Sequence, residues 1–322
     1  MSLQNVDGFL YETLKIIEPY LTMKNIVEVF ISEHEEVCVE TTKGDYKYFK
    51  DKKINRQSVR DMIDNIANYT RNICNSLNPI MTTYIPVYKY RMQVTVEPAV
   101  VSDIGASVCI RIGNALSFPL ISYFKNQKLV DFIKELMRVG KTIVVSGGTS
   151  TGKTSCLNSL IEHIPLNLRI VTLENTKELT IPHKCKTQLI SIESKHKAGE
   201  SYRMISDSIL RNSPRRIIFG ELLTELTKYF LRMCNTGHSG LLTTLHADSA
   251  IGALDALLKN YLLSANVPMD NSYIKDISDA VQYVIQLTKT RDRQITGQLF
   301  EVGTQKNEHG YFEFHVKPIA FD

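Results

Sequence analysis

Apolar residues over the first hundred positions switch between helical and strand spacing, and the switches outline a small mixed domain. Leu10, Leu14, Ile17 and Leu21 keep a helical interval, with Pro19 expected to kink or end the helix. Short extended runs follow at 26–31, 37–41 and 46–49, and Lys43, Gly44 and Asp45 supply the turn between the last two. Ser58 is placed to cap a helix that turns Val59, Met62, Ile63, Ile66 and Ile73 inward. Two more extended runs, 84–96 and 106–112, each carry one arginine among apolar or small neighbours, Arg91 and Arg111. Alone, each arginine reads as a solvated charge on a strand face. Residues 1–112 are therefore expected to form an α+β domain.

The pattern breaks over 113–127, where Gly, Asn, Ser and Pro119 suggest a linker. From Leu129 a helix carries Phe132, Ile133, Leu136 and Met137, with Gly140 after it. The β-branched run 142–146 reads as a buried strand. Cys156, Leu157, Leu160, Ile161 and Ile164 then share one helical face until Pro165 stops it. Further apolar strands are expected at 168–173, at 216–219 and before His246. Asp248 or Ser249 caps a helix bearing Ile251, Leu254, Leu257, Leu258 and Tyr261. Alternating strand and helix over 128–322 predicts an α/β domain with a mostly parallel sheet.

Composition narrows the setting without choosing the chemistry. The 322 residues suffice for two domains with proper cores, and 43% hydrophobic with 22% charged is ordinary for a globular protein. A net charge of +4 is too mild to argue for nucleic acid or lipid. Six scattered cysteines, with no C-x-x-C pair, argue against a disulfide framework or zinc site and for a reducing cytoplasm. No signal-peptide pattern opens the chain and no apolar run approaches a membrane span.

The chemistry concentrates between Gly147 and Thr154, which reads G-G-T-S-T-G-K-T and fits G-x-x-x-x-G-K-[ST]. Small residues let backbone N–H groups wrap a phosphate, Lys153 reaches the outer phosphates, and the Thr154 hydroxyl holds Mg²⁺. Strand, glycine loop and helix stand in the order that sets a phosphate on a helix N-terminus. The nucleotide-binding residues are thus Gly148, Thr149, Ser150, Thr151, Gly152, Lys153, Thr154 and Ser155. Ligands in open α/β sheets sit beyond the C-terminal strand ends. Glu174 follows one apolar strand there and is placed to orient or deprotonate water. Glu221 ends the strand Arg216–Phe219 plus Gly220, the form of a Walker B element, and acts on Mg²⁺ or on the water. His238 and His246 flank one more strand and are expected to bond phosphate or Glu221.

Together these motifs resemble a known family. The Walker A loop, the E-x-T-x-E box from Glu174 to Glu178, the Gly220–Glu221 strand end and T-G-H-x-G-x-x-T-T-L-H-A from Thr236 to Ala247 are similar to the secretion-motor ATPases. These serve type II secretion, type IV pili and type IV secretion, and the similarity is greatest to the traffic ATPases of type IV secretion systems, which also drive conjugation. I-V-E-V-F-I-S, V-C-V-E-T-T-K-G-D, N-P-I at Asn78 to Ile80, R-M-Q-V and S-V-C-I-R-I extend it through the first domain. The chain lacks the extra N-terminal domain and tetracysteine zinc module common in type II secretion ATPases, leaving pilus retraction motors as the nearest competitor.

The resemblance implies a C-terminal RecA-like P-loop ATPase domain, a smaller N-terminal α+β domain and a homo-hexameric ring with nucleotide between the two domains. It implies that Arg91 and Arg111 reach the phosphates, that Glu174 and Glu221 are the acids of the Asp box and Walker B, and that His238 and His246 form the His box. Arg211 and Arg216 match arginines around the Walker B strand. Asn175, Ser213, Arg215 and Leu223 depart from the family's usual Asp, Arg, Asp and Arg, which bears on turnover. The expected protein is a Mg²⁺-dependent ATPase, cytoplasmic and peripheral to the inner membrane. It would energise type IV secretion or conjugation with other secretion-system components, without sequence-specific nucleic-acid binding. Its catalytic residues would be Glu174, Glu221, Lys153, Arg111, Arg91 and His246, with Thr154 and Glu221 on the metal. The rival readings are a pilus or type II secretion motor, a nucleotide-gated scaffold with little turnover, and a helicase-like motor.

Overall fold

The computed structural model describes residues 8–321 apart from 89, 113–116, 176, 192–197 and 291–293. The chain divides into two compact units, Met1–Asn114 and Ala115–Asp322.

The first unit contains α1 (Gly8–Leu14), α2 (Glu18–Leu21), β1 (Ile26–Ile31), β2 (Glu36–Thr41), β3 (Tyr46–Lys50), α3 (Arg56–Tyr69), β4 (Ile80–Tyr84), β5 (Arg91–Val96) and β6 (Ala106–Arg111). Its six strands form one antiparallel sheet in the order β3-β2-β1-β6-β5-β4. Alternation does the work here. Val29, Val37, Val39, Met92, Val94, Val108 and Ile110 take every second position and are buried in one core with Val59, Met62, Ile63 and Ile66 of α3.

Four local expectations are corrected. The helical run through Leu21 is interrupted as expected, but the break falls before Pro19, which sits in the first turn of α2 where its missing N–H costs nothing. Asn55, not Ser58, caps α3; Ser58 is the third residue of the reciprocal capping box. Ile73 lies beyond α3 and is 59% exposed. The run 84–96 is not one strand: Tyr84 ends β4, Pro86 and Val87 (φ 71°) lie in the connection, and β5 returns antiparallel from Arg91.

The second unit contains α4 (Leu120–Phe124), α5 (Gln127–Val139), β7 (Ile143–Gly147), α6 (Lys153–Ile161), β8 (Ile170–Glu174), β9 (Lys186–Ile190), α7 (Ala198–Arg211), β10 (Arg216–Phe219), α8 (Thr224–Asn235), β11 (Leu242–Leu245), α9 (Ala250–Ala265), α10 (Ser272–Ala280), β12 (Tyr283–Lys289), β13 (Ile295–Lys306) and β14 (Phe312–Pro318). Eight strands run in the order β14-β13-β12-β7-β11-β10-β8-β9. From β12 to β9 all pairs are parallel, whereas β13 and β14 add an antiparallel edge that strand–helix alternation had not suggested.

Both faces of this sheet are covered. Ile143, Val145, Ile218 and Leu242 pack with α4, α5 and α6, while Val144, Ile217, Phe219 and Leu245 pack with α8, α9 and α10. Part of the expected linker is therefore structural, since Leu120, Tyr123 and Phe124 of α4 are buried in the second unit's core. Ile251 of α9 is 44% exposed, not inward. Among the described residues no helix is long and apolar enough to cross a membrane.

Candidate active site

Parallel strands place all their C-terminal ends along one edge, and there the candidate residues of the second unit converge. β7 runs into the glycine loop, β8 ends at Glu174, β10 leads to Gly220 and Glu221, and β11 leads to His246. Ser150 and Gly152 take left-handed φ values of 58° and 72°. Gly147 is required for space: a Cβ there would stand 2.5 Å from Thr151 Oγ1 and 2.9 Å from the Leu287 carbonyl. Thr151 Oγ1 donates to the Gly148 carbonyl at 2.9 Å and closes the loop. α6 then starts at Lys153, and no side chain caps its first turn. Its leading N–H groups suit an anion such as a phosphate. Thr154 and Ser155 are half-buried in that turn, and Thr149 and Ser150 are exposed on the loop.

Lys153 is buried, and its Nζ donates to the carbonyls of Gly147 at 2.9 Å and Gly148 at 2.8 Å. It also lies 3.3 Å from His246 Nδ1. An ammonium only donates, so Nδ1 accepts and the ring proton rests on Nε2. Nε2 is 3.4 Å from Glu221 Oε1. Lys153, His246 and Glu221 thus form one line from the loop to the tip of β10. Backbone contacts hold that line in place. Ser146 Oγ and Gln286 Nε2 both donate to the Ala247 carbonyl, at 3.3 and 3.2 Å, and Thr244 Oγ1 donates to the Gly220 carbonyl at 2.8 Å.

Glu174 is 2% exposed. Its Oε1 accepts the N–H groups of Glu178 at 2.8 Å and Leu179 at 2.7 Å. Among the described residues Oε2 has no hydrogen-bond partner. Burial pushes this carboxyl up to about 7, against the pull of those two N–H groups. Gly220 lets the two acidic strand ends lie side by side, because a Cβ there would approach Glu174 Cγ to 3.1 Å.

Not every candidate gathers here. His238 precedes β11 while His246 follows it, so the two lie at opposite ends of one strand. The turn at Gly240 meets Gly140, which precedes β7, and Arg216, which opens β10, at the edge away from the glycine loop. His238 is therefore not brought to the loop within the chain, contrary to the expectation that both histidines face the ligand. Arg216 belongs to that far edge as well. Its guanidinium donates to the carbonyls of Arg215 at 3.0 Å and Arg138 at 3.4 Å, the latter in the last turn of α5. Arg91 and Arg111 belong to the first unit, where they are cross-strand partners on β5 and β6, and Arg111 also faces Glu28 of β1.

Sequence reasoning missed Gln286, which is 6% exposed on β12 and holds the backbone beside His246. The signal was one amide inside the apolar run 283–287.

Residues 14–312 match the family described as type II/IV secretion system protein. The type IV secretion system protein VirB11 of Bartonella quintana is 27% identical over 299 residues, which span 79% of this chain and 83% of that protein. Among solved structures, the ATPase DotB of Legionella pneumophila shares 18% identity with a TM-score of 0.57, over 93% of this chain and 81% of DotB. The pilus retraction motor PilT with bound ADP shares 16% with a TM-score of 0.60, over 96% of this chain and 82% of PilT. At these identities the two structural likenesses speak for the fold.

Proposed function

The chain belongs to the type II/IV secretion system protein family, and from that membership we propose that it is the ATP-hydrolysing motor of a type IV secretion apparatus. The line Lys153–His246–Glu221 supports this reading most, because it joins the group that meets the phosphates to an acid able to act on the attacking water. Water attacks the γ-phosphorus in line while the bond to the ADP oxygen breaks, so positioning and charge neutralisation supply the catalysis. The N–H groups of α6 and Lys153 receive the phosphates. Charged phosphate oxygens accept hydrogen bonds more strongly than carbonyls, so they draw Nζ from Gly147 and Gly148. His246, neutral with its proton on Nε2, orients the Glu221 carboxylate.

Thr154 and Glu221 would supply protein oxygens to Mg²⁺, which would neutralise phosphate charge when bound. Arg91 and Arg111 are the first unit's proposed phosphate ligands, since a guanidinium can donate a forked pair of hydrogen bonds to phosphate oxygens. The working form is a homo-hexamer held with other secretion components at the cytoplasmic face of the inner membrane.

Glu221→Gln tests the assignment. Nucleotide titration should show ATP still bound, while phosphate release falls about a hundredfold, the scale of losing an acid–base group. Undiminished turnover overturns the role of Glu221, and a larger loss in Glu174→Gln exchanges the roles of the two acids.

A further inference from the structure

A cavity of about 370 Å³ lies beside this site, and no residue of the glycine loop lines it. Glu221 and His246 form the wall it shares with the active site, while Thr224, Lys259 and Asn260 line it from α8 and α9. Lys259 is the one lysine or arginine lining the cavity among the described residues. It is exposed and has no ion-pair partner among those residues. Thr224 Oγ1 donates to Asn260 Oδ1 at 3.2 Å, which fixes the amide and leaves Nδ2 to donate elsewhere.

We propose that this cavity takes inorganic phosphate on its way out of the active site, with Lys259 as the anchoring cation. The proposal rests on the ATPase reading, because its ligand is that reaction's product. Hydrolysis leaves a phosphate dianion near Glu221, and ADP still held by the loop blocks the way back. An anion in that position moves toward a cation with a further N–H donor beside it, and a lysine serves phosphate as a compact point charge. Lys259 and Asn260 Nδ2, the amide held by its bond from Thr224, form such a set on the part of the lining that comes from α9. The Glu221 carboxylate repels phosphate at the shared wall, so the product collects at Lys259 and does not linger over the catalytic acid.

Equilibrium dialysis of the full chain with radiolabelled phosphate, with ADP saturating, tests this directly. Wild type should hold one phosphate per chain, Lys259→Glu should bind it at least about tenfold more weakly, and Lys259→Arg should retain it. No phosphate bound by wild type under ADP, or unchanged binding by Lys259→Glu, overturns the site. The exit role is read by comparing quenched-flow hydrolysis with phosphate release to a fluorescent sensor. In Lys259→Glu, release should lag hydrolysis several-fold further than in wild type, and an equal lag in both proteins contradicts it. A wild type that hydrolyses no ATP would remove the ATPase reading and with it the exit role, while the dialysis still decides whether the anion site exists.

Discussion

Glu174 carries a measurable cost. An acid whose folded-state value is raised from 4.5 to about 7 binds its proton more tightly in the folded chain than in the unfolded one. Stability is then highest below the unfolded value and falls as pH climbs from about 4.5 to about 7, by about 3 kcal/mol. Glu174→Gln removes that slope. Its amide oxygen can still accept from Glu178 and Leu179, so calorimetry should find the variant at least as stable as wild type at pH 8. Phosphate release should fall at the same time if the acid acts on the attacking water. A variant that is less stable at pH 8 contradicts this account of Glu174. The positions of Glu174, Glu221 and His246 at or just past the ends of β8, β10 and β11 were legible because each closes an apolar run. Burial of Glu174 and the tautomer of His246 were not, since both depend on neighbours distant in sequence, Gly220 for one and Lys153 for the other.

Elements show which glycines are structural. Gly240 has φ 73°, and a Cβ there would meet Arg216 Cδ at 2.7 Å and Gly140 Cα at 2.9 Å. Gly237, in the same turn, has φ 85° but open space around it. Gly237→Ala should therefore cost only the left-handed backbone term of about 1 kcal/mol. Gly240→Ala should cost roughly 2–4 kcal/mol, because the clash displaces the arginine that caps α5. Denaturant midpoints read both, and equal losses would show that Arg216 yields freely. Most element positions could be read from periodicity, which is local. The errors fell where a side chain has two possible local roles, as with Ser58, or where pairing is remote. β13 and β14 are of the second kind: they complete the sheet by antiparallel pairing, a partner choice no periodicity encodes.

The whole molecule is two units with separate cores, and the proposed function draws on residues of both. A fragment covering 115–322 keeps α4, whose Leu120, Tyr123 and Phe124 fill the second core, so it should fold by circular dichroism. Without Arg91 and Arg111 it should bind ATP weakly and turn it over at least about a hundredfold more slowly, and Arg111→Ala in the full chain should lose comparably. Arg111→Lys should rescue poorly, since it keeps the charge and loses the fork. Full turnover by the fragment would make the arginines surface charges of the first sheet. The two-unit division was visible in the changing spacing of apolar residues, and so was the place of His238, which precedes β11 and in a parallel sheet lies at the end away from the ligand. The most direct measurement is steady-state phosphate release from Mg²⁺-ATP by the full chain beside Lys153→Ala. The account predicts sustained release by wild type and loss of nearly all of it in the variant, whose glycine loop has no other cation. Half the wild-type rate in Lys153→Ala, or a wild type that binds ATP and releases no phosphate, would contradict it.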